Sequence, residues 1–161
     1  MVIVRPLVET DHPWVSGLVV RYFGSVDVVS RGVQHDALRL PGLMATEDGG
    51  PVGLLLYQIV QDACEVVIIA AATPRRGVGK ALLQAACQVA QHAGCTRLWL
   101  VTSNDNRRAQ AFYQAQGMRL VAIHHGAITQ ARVLKPEIPW LGENGIPLED
   151  EIEYELVLER A

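Results

Sequence analysis

No stretch of this chain approaches the roughly 20 consecutive apolar residues that a membrane-spanning helix needs, so no span is expected. A basic surplus is missing too. Fourteen Lys and Arg stand against 17 Asp and Glu, and the basic residues are scattered apart from the pairs Arg75-Arg76 and Arg107-Arg108. That balance leaves no electrostatic footprint for nucleic acid. The three cysteines, Cys64, Cys87 and Cys95, form no Cys-x-x-Cys pair. An odd count argues against a disulfide framework, so they read as small buried hydrophobes, with a catalytic thiol as the lesser alternative. His124 and His125 are adjacent and cannot share a helix face as metal ligands do, so no metal is expected. Residues 1–6 read as a first strand, because a signal peptide opens with a basic head. The expectation is a cytoplasmic protein, one domain over residues 1–161.

Two phosphate-binding signatures are also lacking. A nucleoside-triphosphate loop, Gly-x-x-x-x-Gly-Lys-Ser/Thr, fails at Pro74 and again at Ala81, while Gly-x-Gly-x-x-Gly fails at Leu82.

What is present is an alternation of strand and helix signals. Residues 2–7 read as a short strand. Asp11 and Pro13 open a helix that carries Val15, Leu18, Val19 and Tyr22 on one face and stops at Gly24. Residues 25–40 are ambiguous between strand and short helix. Residues 42–46 and 52–60 form a hairpin around Glu47-Asp48-Gly49-Gly50. The strand at 64–71 is apolar at both parities from Val66 onward, so both of its faces should be covered. Residues 77–93 are the most secure helix, with Gly94 as its stop. A strand at 96–102, a helix at 106–116 stopped by Gly117, and a strand at 118–124 follow. The last strand alternates Ile152, Tyr154, Leu156 and Leu158 inward with Glu151, Glu153 and Glu155 outward, as a solvated face or as an attraction for a cationic amine. Strand-helix-strand passages of this kind argue for a mixed sheet with helices on both faces.

Two elements carry chemistry. The turn Pro74-Arg75-Arg76-Gly77-Val78-Gly79-Lys80 feeds the long helix. Glycines let its backbone approach a ligand, and the amides and dipole of the helix start favour negative charge. Arg75, Arg76 and Lys80 add cationic donors, which suits a diphosphate. The second element is Asn106-Arg107-Arg108-Ala109-Gln110-Ala111-Phe112-Tyr113-Gln114-Ala115-Gln116-Gly117-Met118, which places Asn106, Ala109, Tyr113 and Gly117 along one helix face.

In this order and spacing, the two elements resemble the GNAT (general-control-related N-acetyltransferase) superfamily, and within it a bacterial subgroup of unassigned substrate. The resemblance implies an α/β fold with a mixed, mostly antiparallel central sheet of about seven strands and helices on both faces. It implies acetyl-CoA as acyl donor. Gly77, Val78 and Gly79, with Arg75, Arg76 and Lys80, match the pyrophosphate loop; Asn106, Ala109 and Phe112 belong to the second cofactor signature. Ile69, Ala70 and Ala71 end the strand to which the pantetheine arm adds. Pro74 departs from the family pattern, where Arg75 would substitute for the usual side chain. By the same resemblance Tyr113 is the acid that protonates the leaving thiolate, a phenol of ordinary pKa about 10 against a thiol near 8.5. Glu65 matches a carboxylate that accepts the amine proton, with His124, His125 or water as alternatives.

The implied activity is direct acetyl transfer to a primary amine of a small molecule or peptide. The competing readings are an acyl-CoA-binding module without turnover, and an interaction domain that dimerises. Residues 125–149 are longer than a hairpin needs. Ile128, Ala131 and Leu134 suggest a short helix ended by Pro136, and Ile138 and Trp140 would lid the acceptor pocket, pack on the sheet, or meet a second copy in a homodimer.

Overall fold

A computed structural model of the chain describes residues 1–72 and 77–159. Strand β1 (Val2–Pro6) leads into α1 (His12–Phe23). Pro13 sits in the first turn of α1, and Gly24 closes it at φ 82°, donating to Val20 O. The Asp11 carboxylate accepts from Arg5 Nη1 and Nη2 at 2.8 and 2.9 Å and from Val8 N at 2.9 Å, fixing the entry to the helix. Val15, Leu18 and Val19 are buried as their spacing predicts. Tyr22 is not; it lies exposed and donates its hydroxyl to Ala71 O at 2.8 Å.

The ambiguous residues resolve as a hairpin, β2 (Asp27–Ser30) and β3 (Val33–Asp36), followed by a single 3-10 turn at Ala37–Arg39. Arg31 and Gly32 form its two-residue loop with φ of 49° and 76°, the geometry that matches strand twist in tight hairpins. Strands β4 (Gly42–Glu47), β5 (Gly50–Val60) and β6 (Ala63–Ala71) then form a meander. Helix α2 (Val78–His92), strand β7 (Arg97–Ser103), helix α3 (Arg107–Ala115) and strand β8 (Arg119–His124) follow. A short α4 (Ala127–Ala131) precedes the last strand, β9 (Glu151–Val157).

Seven strands share one sheet in the order β1-β4-β5-β6-β7-β9-β8. Only β6 and β7 are parallel; β9 slots between β7 and β8, antiparallel to both. Leu54, Leu55 and Leu56 are all fully buried. Leu55 packs with the α2 layer and its two neighbours with the α1 layer, which is why the centre of the sheet is continuously apolar. Val66 and Ile68 of β6 divide the same way. No helix among the described residues is long and apolar enough to cross a membrane.

Beyond β7 the covering changes. Glu151 is only 5% exposed, so β9 does not present a solvated carboxylate face. Glu151 pairs with Arg31 at 2.9 Å, Glu153 with Arg97 at 2.7 Å and His124 at 2.9 Å, and Glu155 with Arg97 and Arg119 at 2.8 and 3.1 Å. Period-2 alternation gives the facing of a strand but not what lies opposite it, and here the opposite groups are cations from β2–β3, β7 and β8.

Candidate active site

One irregularity opens the sheet. Leu56 pairs with Ile68 and Tyr57 with Val66, which leaves Val67 as the extra residue of a bulge in β6. A bulge bends its strand and increases local twist. The pairing of β6 with β7 ends at Glu65 and Trp99, and past that point the strands part. A cavity of about 670 Å³ fills the gap between residues 66–69 and 100–103. Tyr113 and Asn106 border it from α3, Phe23 and Ser30 from the α1–β2 side, and Lys135 and Ile138 from the segment before β9.

The Tyr113 ring is 7% exposed and packs against Phe112 and Tyr154, with centroids 5.5 and 5.9 Å away. Burial pushes its phenol well above the ordinary range, so it stays protonated. No described residue hydrogen-bonds its hydroxyl. Asn106 caps α3 through Oδ1, which accepts from Ala109 N at 3.1 Å. Its side-chain amide therefore keeps its N–H donors for other partners.

At the start of α2, Gly77 occupies the left-handed region at φ 87°, and no side chain caps the helix. The amides of Val78, Gly79 and Lys80 belong to the first turn, where helix geometry offers no internal acceptor. Val78 is fully buried, whereas Gly77 and Lys80 are exposed and Gly79 half-buried. Gly79 also has a packing reason to be small: a Cβ there would stand 2.8 Å from Phe112 Cζ. The aromatic ring locks α2 to α3 at this point. Arg75 and Arg76 lie outside the described residues.

On the β7-facing side of β6, no described strand pairs with residues 66–71. Ile69 lines the cavity; Ala70 and Ala71 continue this edge toward α2. Ala71 O already accepts from Tyr22.

Glu65 sits at the fork itself. It is buried, and Ser30 Oγ donates to its Oε2 at 2.5 Å. Desolvation raises its pKa above the carboxylate norm, opposed by the Ser30 bond, with Glu151 and Glu153 raising it further and Arg31 lowering it. Glu65 does not itself line the cavity, whereas Ser30 and Glu151 do. His124 is tied to Glu153 and His125 to Asp150, and neither borders the cavity. Burial drives the Cys64 thiol up to about 12 and raises Cys87 and Cys95 as well, which makes all three poor nucleophiles.

Residues 14–118 match the acetyltransferase (GNAT) family. The chain belongs to that family. YdhI of Bacillus subtilis strain 168, a protein described as uncharacterized, is 35% identical over 161 residues, 99% of this chain and 100% of its own. Among solved structures, an IAA acetyltransferase from Bacillus cereus superposes with a TM-score of 0.78 at 24% identity, over 98% of this chain and all of that one. An acetyltransferase from Bacillus subtilis, crystallised in complex with CoA, gives 0.72 at 20% identity over 99% and 100% of the two chains. The fold is the GNAT fold.

Family members use acetyl-CoA as donor, and the residues present fit such a group. A left-handed glycine and uncapped amides at the start of α2, with a β6 edge that no described strand pairs, supply backbone donors and acceptors for it. The sequence did not point to Ser30, Lys135, Asn104 or Asp105. Asn104-Asp105-Asn106 between a strand and a helix is a turn signal, and it was the available hint for two of them.

Proposed function

We propose that the whole chain is one catalytic domain, with residues 125–149 as its insert, that moves an acetyl group from acetyl-CoA directly to a primary amine. Gly77, Val78, Gly79 and Lys80 hold the diphosphate through main-chain amides, with Arg75 and Arg76 as cationic support. The edge of β6 through Ile69, Ala70 and Ala71 pairs with the amide-bearing arm, and Asn106, Ala109 and Phe112 border it from α3. Bound there, acetyl-CoA supplies an activated acetyl thioester. Tyr113 holds a proton at its hydroxyl for the departing thiolate. Glu65, through Ser30 or water, takes the proton that the amine must lose, and its raised pKa makes it a better base than an ordinary carboxylate.

The observation that carries this reading is Tyr113: a buried residue whose hydroxyl bonds to no described residue, bordering the cavity that follows the open edge of β6. The test combines two measurements on the purified protein. Acetyl-CoA should raise Tm, and adding primary amines should release free CoA thiol. A thermal shift without thiol release from any amine would instead identify a binding module without turnover.

A further inference from the structure

The insert differs from an open loop, and its construction bears on the acceptor. Its outer part folds on itself: Leu141 bridges Pro147, Gly142 N donates to Ile146 O at 2.8 Å, and Leu148 N donates to Trp140 O at 3.0 Å. Arg132 is buried and donates to Ile138 O, Pro139 O and Leu148 O at 3.2, 2.6 and 2.7 Å. Trp140 stacks under the same guanidinium at 4.1 Å and is 71% exposed; it braces the outside and does not cover the cavity.

This folded strap is pinned on both sides of the fork. On the β7–α3 side, Asn104 Nδ2 donates to Pro147 O at 2.7 Å, its Oδ1 accepts from Glu149 N and Asp150 N at 3.0 Å, and Asp105 Oδ2 accepts from Glu143 N at 2.8 Å. On the α1–β2 side, Lys135 is 6% exposed and donates to Phe23 O at 2.7 Å and Asp27 O at 2.6 Å. A buried ammonium satisfied by two carbonyls is a strong anchor, because a buried charge left without partners is strongly destabilising.

From this pinned wall we infer that the acceptor is a small primary amine with an apolar body, and not the terminus or a lysine of a polypeptide. The inference rests on the acetyltransferase reading and refines it. A polypeptide acceptor needs a channel open at its far end and backbone groups to read its own. Here Ile128, Lys135, Ile138 and Leu148 of the strap line one side of the cavity. Much of the strap's backbone is already bonded, including the three carbonyls taken by Arg132. The lining is more apolar than polar, with Phe23, Val28, Ile138 and Leu148 beside the carboxylates Asp105, Glu137 and Glu151 and the Lys135 ammonium. A few polar groups in an apolar chamber suit a compact ligand, and a cavity of about 670 Å³ shared with the donor's reactive end leaves space for little more.

The test measures kcat/KM at saturating acetyl-CoA for phenethylamine, tyramine and hexylamine against a hexapeptide with a free N-terminus and one with an internal lysine. The three small amines should exceed both peptides by about tenfold or more. Peptide turnover equal to or above theirs overturns the inference while leaving acetyl transfer intact. Silence of every small amine in protein that acetyl-CoA stabilises overturns it too, and silence of the peptides as well removes turnover itself. Absence of any acetyl-CoA effect on Tm removes the underlying reading instead. Lys135→Met should release the strap and raise peptide kcat/KM at least about fivefold while KM for phenethylamine worsens; no change in either quantity refutes the wall. Should that variant fail to fold, Ile138→Ala enlarges the chamber alone and should shift preference toward bulkier amines; an unaltered preference counts against the chamber.

Discussion

The two walls of the cavity are held by different forces. Toward α2 and α3 the wall is regular structure: helix backbone, strand edge, and a ring-on-glycine contact between Phe112 and Gly79. Toward α1 and the strap it is irregular chain, held by single side chains that bridge long separations, Lys135 to Phe23 across 112 residues and Asn104 to Pro147 across 43. Regular structure spreads its stability over many small contributions and keeps atoms in place whichever one is lost. A bridged loop concentrates its stability in a few bonds, so each loss loosens it. Substitutions on the first side should therefore alter the donor or the chemistry, and those on the second the acceptor.

Tyr113→Phe is the sharpest way to break that division. Removing the proton donor should lower kcat by about 10²–10⁴, while the dissociation constant for acetyl-CoA stays within about twofold. Parallel loss of both would mean the phenol only packs. Far-ultraviolet circular dichroism should be unchanged, since the ring contacts with Phe112 and Tyr154 persist.

Glu65→Gln comes next, with a fall in kcat of about 10- to 100-fold at neutral pH. The pH dependence carries its own check. Burial raises the Glu65 pKa in the folded chain, so ionising it costs the folded state stability as pH rises from the ordinary carboxylate value, about 4.3, through the raised one. Glutamine keeps a partner for Ser30 and removes that cost. The variant should melt higher than the parent at pH 8 and lose the advantage near pH 4. The acid limb of kcat/KM should also lie above the ordinary carboxylate range in the parent and vanish in the variant. A variant that is less stable at pH 8 would contradict the desolvation argument.

Gly79→Ala is smaller and lies on the donor side. Its methyl must displace the Phe112 ring, an overpacking cost of about 1–3 kcal/mol. KM for acetyl-CoA should rise about tenfold and KM for the amine hold. The reverse pattern would place Gly79 against the acceptor.

Much of the donor wall could be read in advance because its residues are contiguous. The turn into α2, the helix capped by Asn106 and the apolar β6 are each local patterns; a mixed sheet with helices on both faces follows from their order, and its seven strands from the family resemblance. Even there, the packing reason for Gly79 was not legible, since Phe112 lies far away in sequence. The acceptor wall left no local signature. Helix spacing through Ile128, Ala131 and Leu134 suggested a longer α4, yet it ends at Ala131 and Leu134 is exposed, because Arg132 and Lys135 turn the chain toward carbonyls no periodicity reveals. The fork had no signal either: one unpaired residue, Val67, in a strand of valines and isoleucines.

Asn104→Ala tests the weaker side of the comparison with the mildest change. Asn104 does not line the cavity, so its side chain can affect the acceptor only through Pro147, Glu149 and Asp150. Losing three partly exposed hydrogen bonds should cost about 1–2 kcal/mol in total, and not three full increments, because water replaces some of them. The Glu149 and Asp150 amides, which Asn104 Oδ1 now satisfies, should exchange with deuterium at least about tenfold faster, while those of α2 keep their protection. KM for the amine should rise about threefold, with acetyl-CoA affinity unchanged. If exchange accelerates and amine KM stays put, the strap covers the cavity without shaping what binds there; if donor affinity falls as well, the two walls are one cooperative unit and the division between them disappears.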